Sequence, residues 1–237
     1  MNSLGFDKLE SKTKVVVAMS GGVDSSVAAV MLKKEGYDVI GITLKLYNNS
    51  NISKNKSCCA GIDIEDAKNV AKRYNFKHLT LDYQDKFFDG VINNFVESYS
   101  NGETPLPCVT CNQTVKFSDL LNEAKKMGAD ALVTGHYARR EGLLTNASLH
   151  KAKDLSKDQS FFLFATLQDQ LDYVRFPLGG YIKSEIRQLA VKYELAVSDK
   201  PDSQDICFVT SDSYRDLVKN LNPTVNKKGI IYDIDKK

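Results

Sequence analysis

The sequence predicts an α/β fold, with a Rossmann-like parallel sheet, helices on both of its faces and the start of a small second domain. Short apolar runs alternate with segments whose apolar residues recur at helical spacing. The first run, "KVVVAM" at 14–19, is β-branched and bounded by turn residues, which is typical of a buried strand. The length of 237 residues fits one large domain and part of another.

The first half of the chain predicts three strand–helix pairs in succession. The first helix is expected to end at Gly36, because glycine readily takes the left-handed conformation that follows a helix. The polar segment 48–57 predicts a loop. We expect strands over residues 14–19, 38–47 and 77–83, and helices over residues 25–35, 62–74 and 85–100. This alternation favours crossover connections and therefore parallel strands.

The pattern continues and then changes in the second half. A helix over 112–128 and a strand over 130–136 extend the alternation. Beyond them we expect a hairpin over 141–152 with its turn at Thr145–Ala147, helical pieces over 158–197 broken at 177–180, and a short helix over 211–221.

Composition excludes some classes of protein and leaves others open. A net charge of +2 neither indicates nor excludes a nucleic-acid partner. No apolar run is long enough to span a bilayer, and the N-terminus lacks a signal-peptide pattern, so we expect a cytoplasmic protein with no membrane partner. In that compartment the five cysteines are expected to be thiols, metal ligands or catalytic groups; they are Cys58, Cys59, Cys108, Cys111 and Cys207.

The stretch "AMSGGVDSS", residues 18–26, lies between the first predicted strand and helix. Its glycines let backbone N–H groups point inward, and the helix N-terminus adds positive charge, so the loop predicts an anion site. The hydroxyls of Ser20, Ser25 and Ser26 can donate hydrogen bonds to phosphate. The Asp24 carboxylate would repel phosphate unless a cation lies between them, and Mg²⁺ held by Asp24 would supply that cation.

This loop resembles the PP-loop of the N-type ATP pyrophosphatases, which lacks the lysine of the Walker phosphate loop. The resemblance implies the adenine nucleotide α-hydrolase-like form of the Rossmann fold. It also implies that ATP is cleaved between its α- and β-phosphates, that AMP is transferred to an oxygen of the substrate and that pyrophosphate leaves.

A second motif, "TPLPCVTCNQTVKF" at 104–117, places Cys108 and Cys111 in a CxxC arrangement before a predicted helix. A thiol at a helix N-terminus is expected to have a lowered pKa. Three interpretations remain open at this point: half of a zinc site, a redox pair, or a nucleophile.

Five motifs in order resemble the tRNA-specific 2-thiouridylase family, whose members replace the C2 oxygen of the wobble uridine with sulfur. The motifs are "AMSGGVDSS", "TPLPCVTCNQTVKF", "VTGHYAR", "KDQSFFL" and "DSQDICFV". The resemblance implies ATP and Mg²⁺ as cofactors, and tRNA and a sulfur-donor protein as partners. Cys111 matches the nucleophile and Cys207 the persulfide-carrying cysteine, so a transient Cys111–Cys207 disulfide is implied.

The resemblance also implies binding residues. ATP would be bound by Ala18, Met19, Ser20, Gly21, Gly22, Val23, Asp24, Ser25, Leu44 and Gly135. The tRNA would be contacted by Leu106, Pro107, Cys108, His136, Lys157, Asp158 and Gln159. Basic residues also outnumber acidic ones between 139 and 157, a pattern that the resemblance favours as an RNA surface.

The implied domain boundaries are an N-terminal extension at 1–13, a PP-loop catalytic domain at 14–209 and the beginning of a central domain at 210–237. We expect the family's C-terminal β-barrel to be absent. Three alternatives remain: a [4Fe–4S] cluster held by Cys108, Cys111 and Cys207, another PP-loop enzyme such as an amide-forming synthetase, or an inactive remnant that binds ATP or RNA.

Overall fold

The computed structural model describes residues 1–47, 61–142, 144–202, 206–209, 213–225 and 230. Its strands are β1 (Lys14–Ala18), β2 (Asp38–Lys45), β3 (Lys77–Asp82), β4 (Ala131–Val133), β5 (Ala138–Glu141), β6 (Ser148–Lys151) and β7 (Val174–Arg175). Five of them form one sheet in the order β3-β2-β1-β4-β7, and every neighbouring pair in it is parallel. The parallel sheet that the sequence predicts is confirmed.

The helices connect and cover these strands. They are α1 (Val23–Glu35), α2 (Gly61–Arg73), α3 (Gln84–Phe87), α4 (Asn93–Ser100), α5 (Pro107–Cys111), α6 (Leu121–Lys126), α7 (Gln168–Tyr173), α8 (Lys183–Lys192) and α9 (Tyr214–Leu221). Two π-helical segments, Phe88–Ile92 and Asn112–Leu120, join α3 to α4 and α5 to α6. No helix within the described ranges is long and apolar enough to cross a bilayer.

Two hydrophobic clusters cover the two faces of the sheet. Along β1, Val15 and Val17 belong to one cluster and Val16 to the other, because successive strand residues point to opposite faces. The first cluster includes side chains of α1, α2 and α8, and the second includes side chains of α4, α7 and α9. Helices therefore lie on both faces, as the sequence predicts.

Most predicted elements are present with small shifts in their bounds. Gly36 follows α1 with a φ of 100°, as expected for a helix C-cap. The predicted hairpin is the antiparallel pair β5–β6, with Asn146 left-handed in its turn. The strand β7 was not predicted. The loop predicted at 48–57, with Cys58 and Cys59 beyond it, lies outside the described residues.

The N-terminal residues pack against the sheet domain. Leu4 and Phe6 are buried, the Arg175 guanidinium lies over the Phe6 ring, and Arg175 Nε donates to the Leu4 carbonyl at 2.9 Å. At the other end, the Tyr214 ring of α9 stacks on the Tyr99 ring at a centroid distance of 4.7 Å.

Candidate active site

The PP-loop lies where the strand order of the sheet reverses. From β1, the chain proceeds to β2 and β3 on one side, and later to β4 and β7 on the other. Parallel α/β sheets bind ligands at this switch point, outside the carboxyl ends of the strands. The loop that follows β1 and residue Gly135 beyond β4 both lie at this edge of the sheet.

The loop has a shape that excludes larger side chains. Gly21 has a φ of 76°, and a Cβ there would lie 2.2 Å from the carbonyl oxygen of Asp63. Gly135 packs against α1, and a Cβ there would lie 2.9 Å from the backbone nitrogen of Ser25. Both glycines are therefore required by close backbone approach.

The hydroxyls of the loop have distinct roles. Ser25 Oγ accepts a hydrogen bond from the Ser20 N–H at 3.1 Å and lies 3.3 Å from Ser20 Oγ. Ser26 is fully buried and donates to the Gly22 carbonyl at 2.8 Å, so it supports the start of α1. Gly22, the N-cap residue, has no side chain to cover the first N–H groups of α1, which leaves them suited to an anion.

Asp24 has a protein cation beside it. Lys183 Nζ, at the start of α8, lies 2.7 Å from both carboxylate oxygens, and the Tyr137 hydroxyl donates to Asp24 Oδ1 at 2.8 Å. Burial, together with the negative charge of Asp24, raises the pKa of Tyr137, which keeps this hydroxyl a donor. A lysine therefore lies beside the carboxylate for which the sequence predicts a cation, and Mg²⁺ stays a prediction. No group of three His, Cys, Asp or Glu side chains in the described part of the chain is arranged to hold a metal ion.

Lys183 also links the loop to the segment that precedes Cys207. Its ammonium lies 2.9 Å from Asp202 Oδ1. Asp202 receives two further cations, Lys157 Nζ at 3.0 Å and Arg187 Nη2 at 2.8 Å. Burial opposes ionisation of Asp202, but hydrogen bonds from Lys183 and Lys157 outweigh it and lower the pKa of this carboxyl to about 2.

A second lysine fixes the position of the loop relative to α2. Lys200 Nζ donates to the Gly21 carbonyl at 3.0 Å, to Asp63 Oδ1 at 2.5 Å and to Asp66 Oδ2 at 2.8 Å. Sequence reasoning missed both Lys183 and Lys200. Their positions near Asp24 and Gly21 depend on tertiary packing, and no local pattern indicates it.

Cys111 differs from the expectation for a thiol at a helix N-terminus. The helix begins earlier than predicted, at Pro107, so Cys111 is the last residue of α5 and continues directly into the π-helical segment. Its side chain is buried, and burial raises the pKa of the thiol. The lowered pKa expected from the helix N-terminus is therefore wrong for Cys111. Cys108, one turn earlier, is exposed.

Cys207 is held at the carboxyl edge of the sheet by its neighbours. The Phe208 ring is buried edge-on against Phe87 and Phe95, with centroid distances of 5.7 and 5.2 Å. The hydroxyl of Tyr47, which follows β2, donates to the Cys207 carbonyl at 2.6 Å. Cys111 belongs to a hydrophobic cluster against which the partly buried Cys207 packs, although the two cysteines lie 96 positions apart in sequence. Cys111 forms no disulfide in this structure.

Some of the residues predicted to contact tRNA are exposed, and others are buried or form hydrogen bonds within the chain. Leu106 and Cys108 are exposed and Pro107 is buried. Asp158 accepts the Ala152 N–H at 2.8 Å, and Gln159 Oε1 accepts the Tyr137 N–H at 2.9 Å, so these two side chains hold the local chain.

His136 packs between aromatic rings beyond β4. Its Nδ1 lies 2.8 Å from Thr134 Oγ1, and its ring contacts Phe117 and Phe176 edge-on. Burial, with a smaller contribution from Lys116, lowers the pKa of His136 to about 3. The imidazole is therefore neutral at physiological pH and has no charge to offer a phosphate.

An exposed aromatic group follows Gln159. Two of its rings lie in the motif "KDQSFFL", but sequence reasoning assigned them no role. Phe161 and Phe164 are 59% and 63% exposed, and Phe162 is 37% exposed. The carbonyl of Phe162 accepts a hydrogen bond from Asn112 Nδ2 at 3.0 Å, so this group lies beside the residue that follows Cys111.

Two solved structures have a fold similar to that of this chain. An NMN synthetase from Francisella tularensis aligns with 90% of this chain and 78% of its own, with a TM-score of 0.50 and 17% identity. A 4-thiouridine synthetase, in a complex with RNA and bound ATP, aligns with 90% of this chain and 51% of its own, with a TM-score of 0.51 and 16% identity. At these identities the likeness shows the fold alone.

Sequence comparison shows the family. A tRNA-specific 2-thiouridylase from Rhodospirillum centenum is 56% identical over 99% of this chain and 60% of its own length. One from Orientia tsutsugamushi is 56% identical over 98% of this chain and 63% of its own. The chain spans about 60% of the length of the curated relatives that it matches. Residues 13–211 match the family described as "tRNA methyl transferase HUP domain". The chain therefore belongs to this family, and the two relatives named above are tRNA-specific 2-thiouridylases, as the five sequence motifs predict.

Proposed function

We propose that this chain thiolates the C2 position of the wobble uridine of tRNA at the expense of ATP. The observation that carries the proposal is a phosphate loop at the carboxyl edge of the sheet, together with two cysteines, distant in sequence, that pack on one face of that sheet. The loop follows β1, the Cys207 carbonyl accepts a hydrogen bond from the hydroxyl of Tyr47 beyond β2, and Cys207 packs against the hydrophobic cluster that contains Cys111. The description of the matched family mentions methyl transfer, whereas the relatives that this chain matches are named 2-thiouridylases. The two cysteines favour thiolation as the activity of this chain.

In the first step, AMP activates the uridine. The C2 oxygen of uracil belongs to a urea-like carbonyl and is a poor leaving group. It attacks the α-phosphorus of ATP, a new oxygen–phosphorus bond forms, and the α–β bond breaks to release pyrophosphate. The N–H groups at the start of α1 and the hydroxyl of Ser20 bind phosphate oxygens, and Gly135 keeps the neighbouring backbone close to the loop. Leu44, buried at the end of β2, supports the adenine side.

In the second step, sulfur replaces the activated oxygen. The terminal sulfur of a persulfide on Cys207 attacks C2, and the carbon–oxygen bond breaks to release AMP. The Cys111 thiolate then attacks the inner sulfur of Cys207. This forms a Cys111–Cys207 disulfide and leaves the second sulfur on the base as 2-thiouridine. A sulfur-donor protein supplies the persulfide, and an external dithiol reduces the disulfide after each turnover.

Cys111 must lose its proton in the second step. Burial raises the pKa of this thiol, so the resting side chain is protonated at neutral pH. We infer that binding of the tRNA, with Leu106 and Cys108 exposed on the same segment, changes the surroundings of Cys111 before it reacts.

The cluster and metal alternatives have less support. Cys108 is exposed and Cys111 buried, and together with Cys207 they form no three-ligand group among the described side chains. Asp24 is already paired with Lys183 and Tyr137. No step is therefore assigned to a [4Fe–4S] cluster or to Mg²⁺. Iron quantification after anaerobic reconstitution separates a cluster route from the persulfide route.

The RNA surface is proposed around the basic segment and the exposed rings. Lys151, Lys153 and Lys157 precede Phe161 and Phe164 in sequence, and a surface that combines exposed aromatic rings with cationic side chains suits stacked bases and phosphates. We propose residues 14–209 as the unit that carries the ATP and cysteine chemistry, with residues 210–237 beginning another domain.

Serine variants of the two cysteines test the proposal. With ATP, a persulfide donor and a tRNA transcript, the 237-residue chain is expected to form 2-thiouridine, detected by mass spectrometry of nucleosides. Cys111→Ser and Cys207→Ser are each expected to abolish the product and to retain ATP binding, whereas Cys58→Ser, to which no role is assigned, retains the product. Wild-type yield from either active-site variant contradicts the assignment. ATP binding by wild type with no thiolated product identifies an inactive remnant or another PP-loop enzyme.

A further inference from the structure

Lys183 occupies the place where a phosphate loop needs positive charge. Its side chain is 13% exposed, and its ammonium lies 2.7 Å from Asp24 and 2.9 Å from Asp202. The ammonium also lies 5.6 Å from the centre of the Tyr137 ring. An ammonium has three donors, and here the two carboxylates receive them.

The two carboxylates depend on Lys183 to different degrees. Asp202 also pairs with Lys157 and Arg187, at 3.0 and 2.8 Å. Within the described ranges, by contrast, no other cation forms an ion pair with Asp24. If Lys183 leaves Asp202, that carboxylate keeps two cations. If Lys183 leaves Asp24, a carboxylate stays uncompensated beside the phosphate site. The ammonium can therefore turn away from Asp202 at smaller cost than from Asp24.

We propose that Lys183 is a phosphate-binding residue of the PP-loop: it stays on Asp24 and exchanges its Asp202 hydrogen bond for a phosphate oxygen of ATP. The proposal rests on the proposed ATP-dependent function. It gives Lys183 the place of the lysine that Walker loops carry within the loop itself. Because pyrophosphate gains negative charge as it leaves, a cation beside the loop also stabilises that charge.

A purely structural role for Lys183 predicts a different outcome. If Lys183 only connects the loop to the Asp202 segment through an ion pair, removing Lys183 and neutralising Asp202 both break that ion pair. The two changes should then weaken ATP binding equally. If Lys183 binds phosphate, its removal weakens ATP binding, whereas neutralising Asp202 removes a competitor for its ammonium.

Equilibrium binding of the non-cleavable analogue α,β-methylene-ATP tests the proposal without tRNA or turnover. For Lys183→Met, the Kd is expected to rise about ten- to a hundredfold, as for loss of a hydrogen bond to a charged group. For Lys183→Arg, which keeps the charge, part of the affinity is expected to remain. Asp202→Asn is expected to bind at least as tightly as wild type. Lys192→Met, on an exposed residue at the far end of α8, is the matched control and keeps the wild-type Kd.

Two results overturn the proposal: a wild-type Kd for Lys183→Met, or equal weakening by Lys183→Met and Asp202→Asn. Circular dichroism confirms that each variant is folded, and Lys183→Gln replaces the methionine variant if that one is not. Failure of the wild-type chain to bind the analogue contradicts the proposed function, and the role of Lys183 with it. Tight wild-type binding with no effect at Lys183 contradicts this inference alone.

Discussion

The Asp24 carboxylate shows what sequence reasoning can establish about a single residue. A negative charge inside a phosphate loop requires a cation, and that requirement follows from "SGGVDS" alone. The identity of the cation does not, because Lys183 follows 159 positions later, at the start of α8. Charge balance was predictable, and the residue that provides it was not.

Cys111 shows the opposite case: the helix N-terminus rule predicts a lowered thiol pKa, but burial has the larger effect and raises it. A helix N-terminus favours a thiolate by about 0.3–1 kcal/mol. Desolvation in the core shifts a pKa by up to several units for a fully buried group, each unit being about 1.4 kcal/mol. Burial therefore decides the direction, and the CxxC spacing gave no sign that one cysteine would be exposed and the other buried.

This difference predicts unequal reactivity of the two thiols. At neutral pH, iodoacetamide is expected to alkylate the exposed Cys108 at least tenfold faster than the buried Cys111. Burial raises the pKa of Cys111 above the ordinary value for a thiol. Its alkylation rate is therefore expected to keep rising as the pH passes that ordinary value. Peptide mass spectrometry measures both rates in one sample. Equal rates for the two cysteines at pH 7 contradict the burial of Cys111.

At the level of elements, the prediction was best where periodicity and turn chemistry agreed. The strand β1, the helix α1 and the Gly36 cap follow from a β-branched run, helical spacing and a glycine. The strand β7 was not predicted, because a strand of two residues is too short to show an alternating apolar pattern. It is defined by its pairing with β4. The helix predicted over 112–128 starts too late, because the structure begins a helix at Pro107, and proline suits the first position of a helix.

The contact between the PP-loop and α2 predicts a strict need for glycine at position 21. Gly21→Ala is expected to lower the free energy of unfolding by about 2–4 kcal/mol, because it combines a left-handed backbone with a clash against the Asp63 carbonyl. It is also expected to weaken ATP binding. Gly61→Ala at the start of α2, where a Cβ meets nothing within 4 Å, is the control and stays within about 0.5 kcal/mol of wild type. Urea unfolding measures both variants, and unchanged stability of Gly21→Ala contradicts this account of the loop.

At the level of the whole molecule, the fold brings together residues that the sequence separates widely. The reversal of strand order between β2 and β4 puts the PP-loop, Gly135 and the Cys207 segment at one edge. Strand–helix alternation predicts the class of this sheet, and motif order predicts the family. Neither predicts the lysines that join the loop to α2 and α8, since those contacts arise only after the helices pack.

The most direct test of the central claim follows the oxygen that leaves the uridine. A tRNA transcript carrying ¹⁸O at the C2 position of its wobble uridine is incubated with the chain, ATP and a persulfide donor, and the AMP is analysed by mass spectrometry. Adenylation of that oxygen predicts one ¹⁸O atom in AMP for each 2-thiouridine formed, with pyrophosphate as the other product. Formation of 2-thiouridine together with unlabelled AMP, or with ADP and phosphate, contradicts the account.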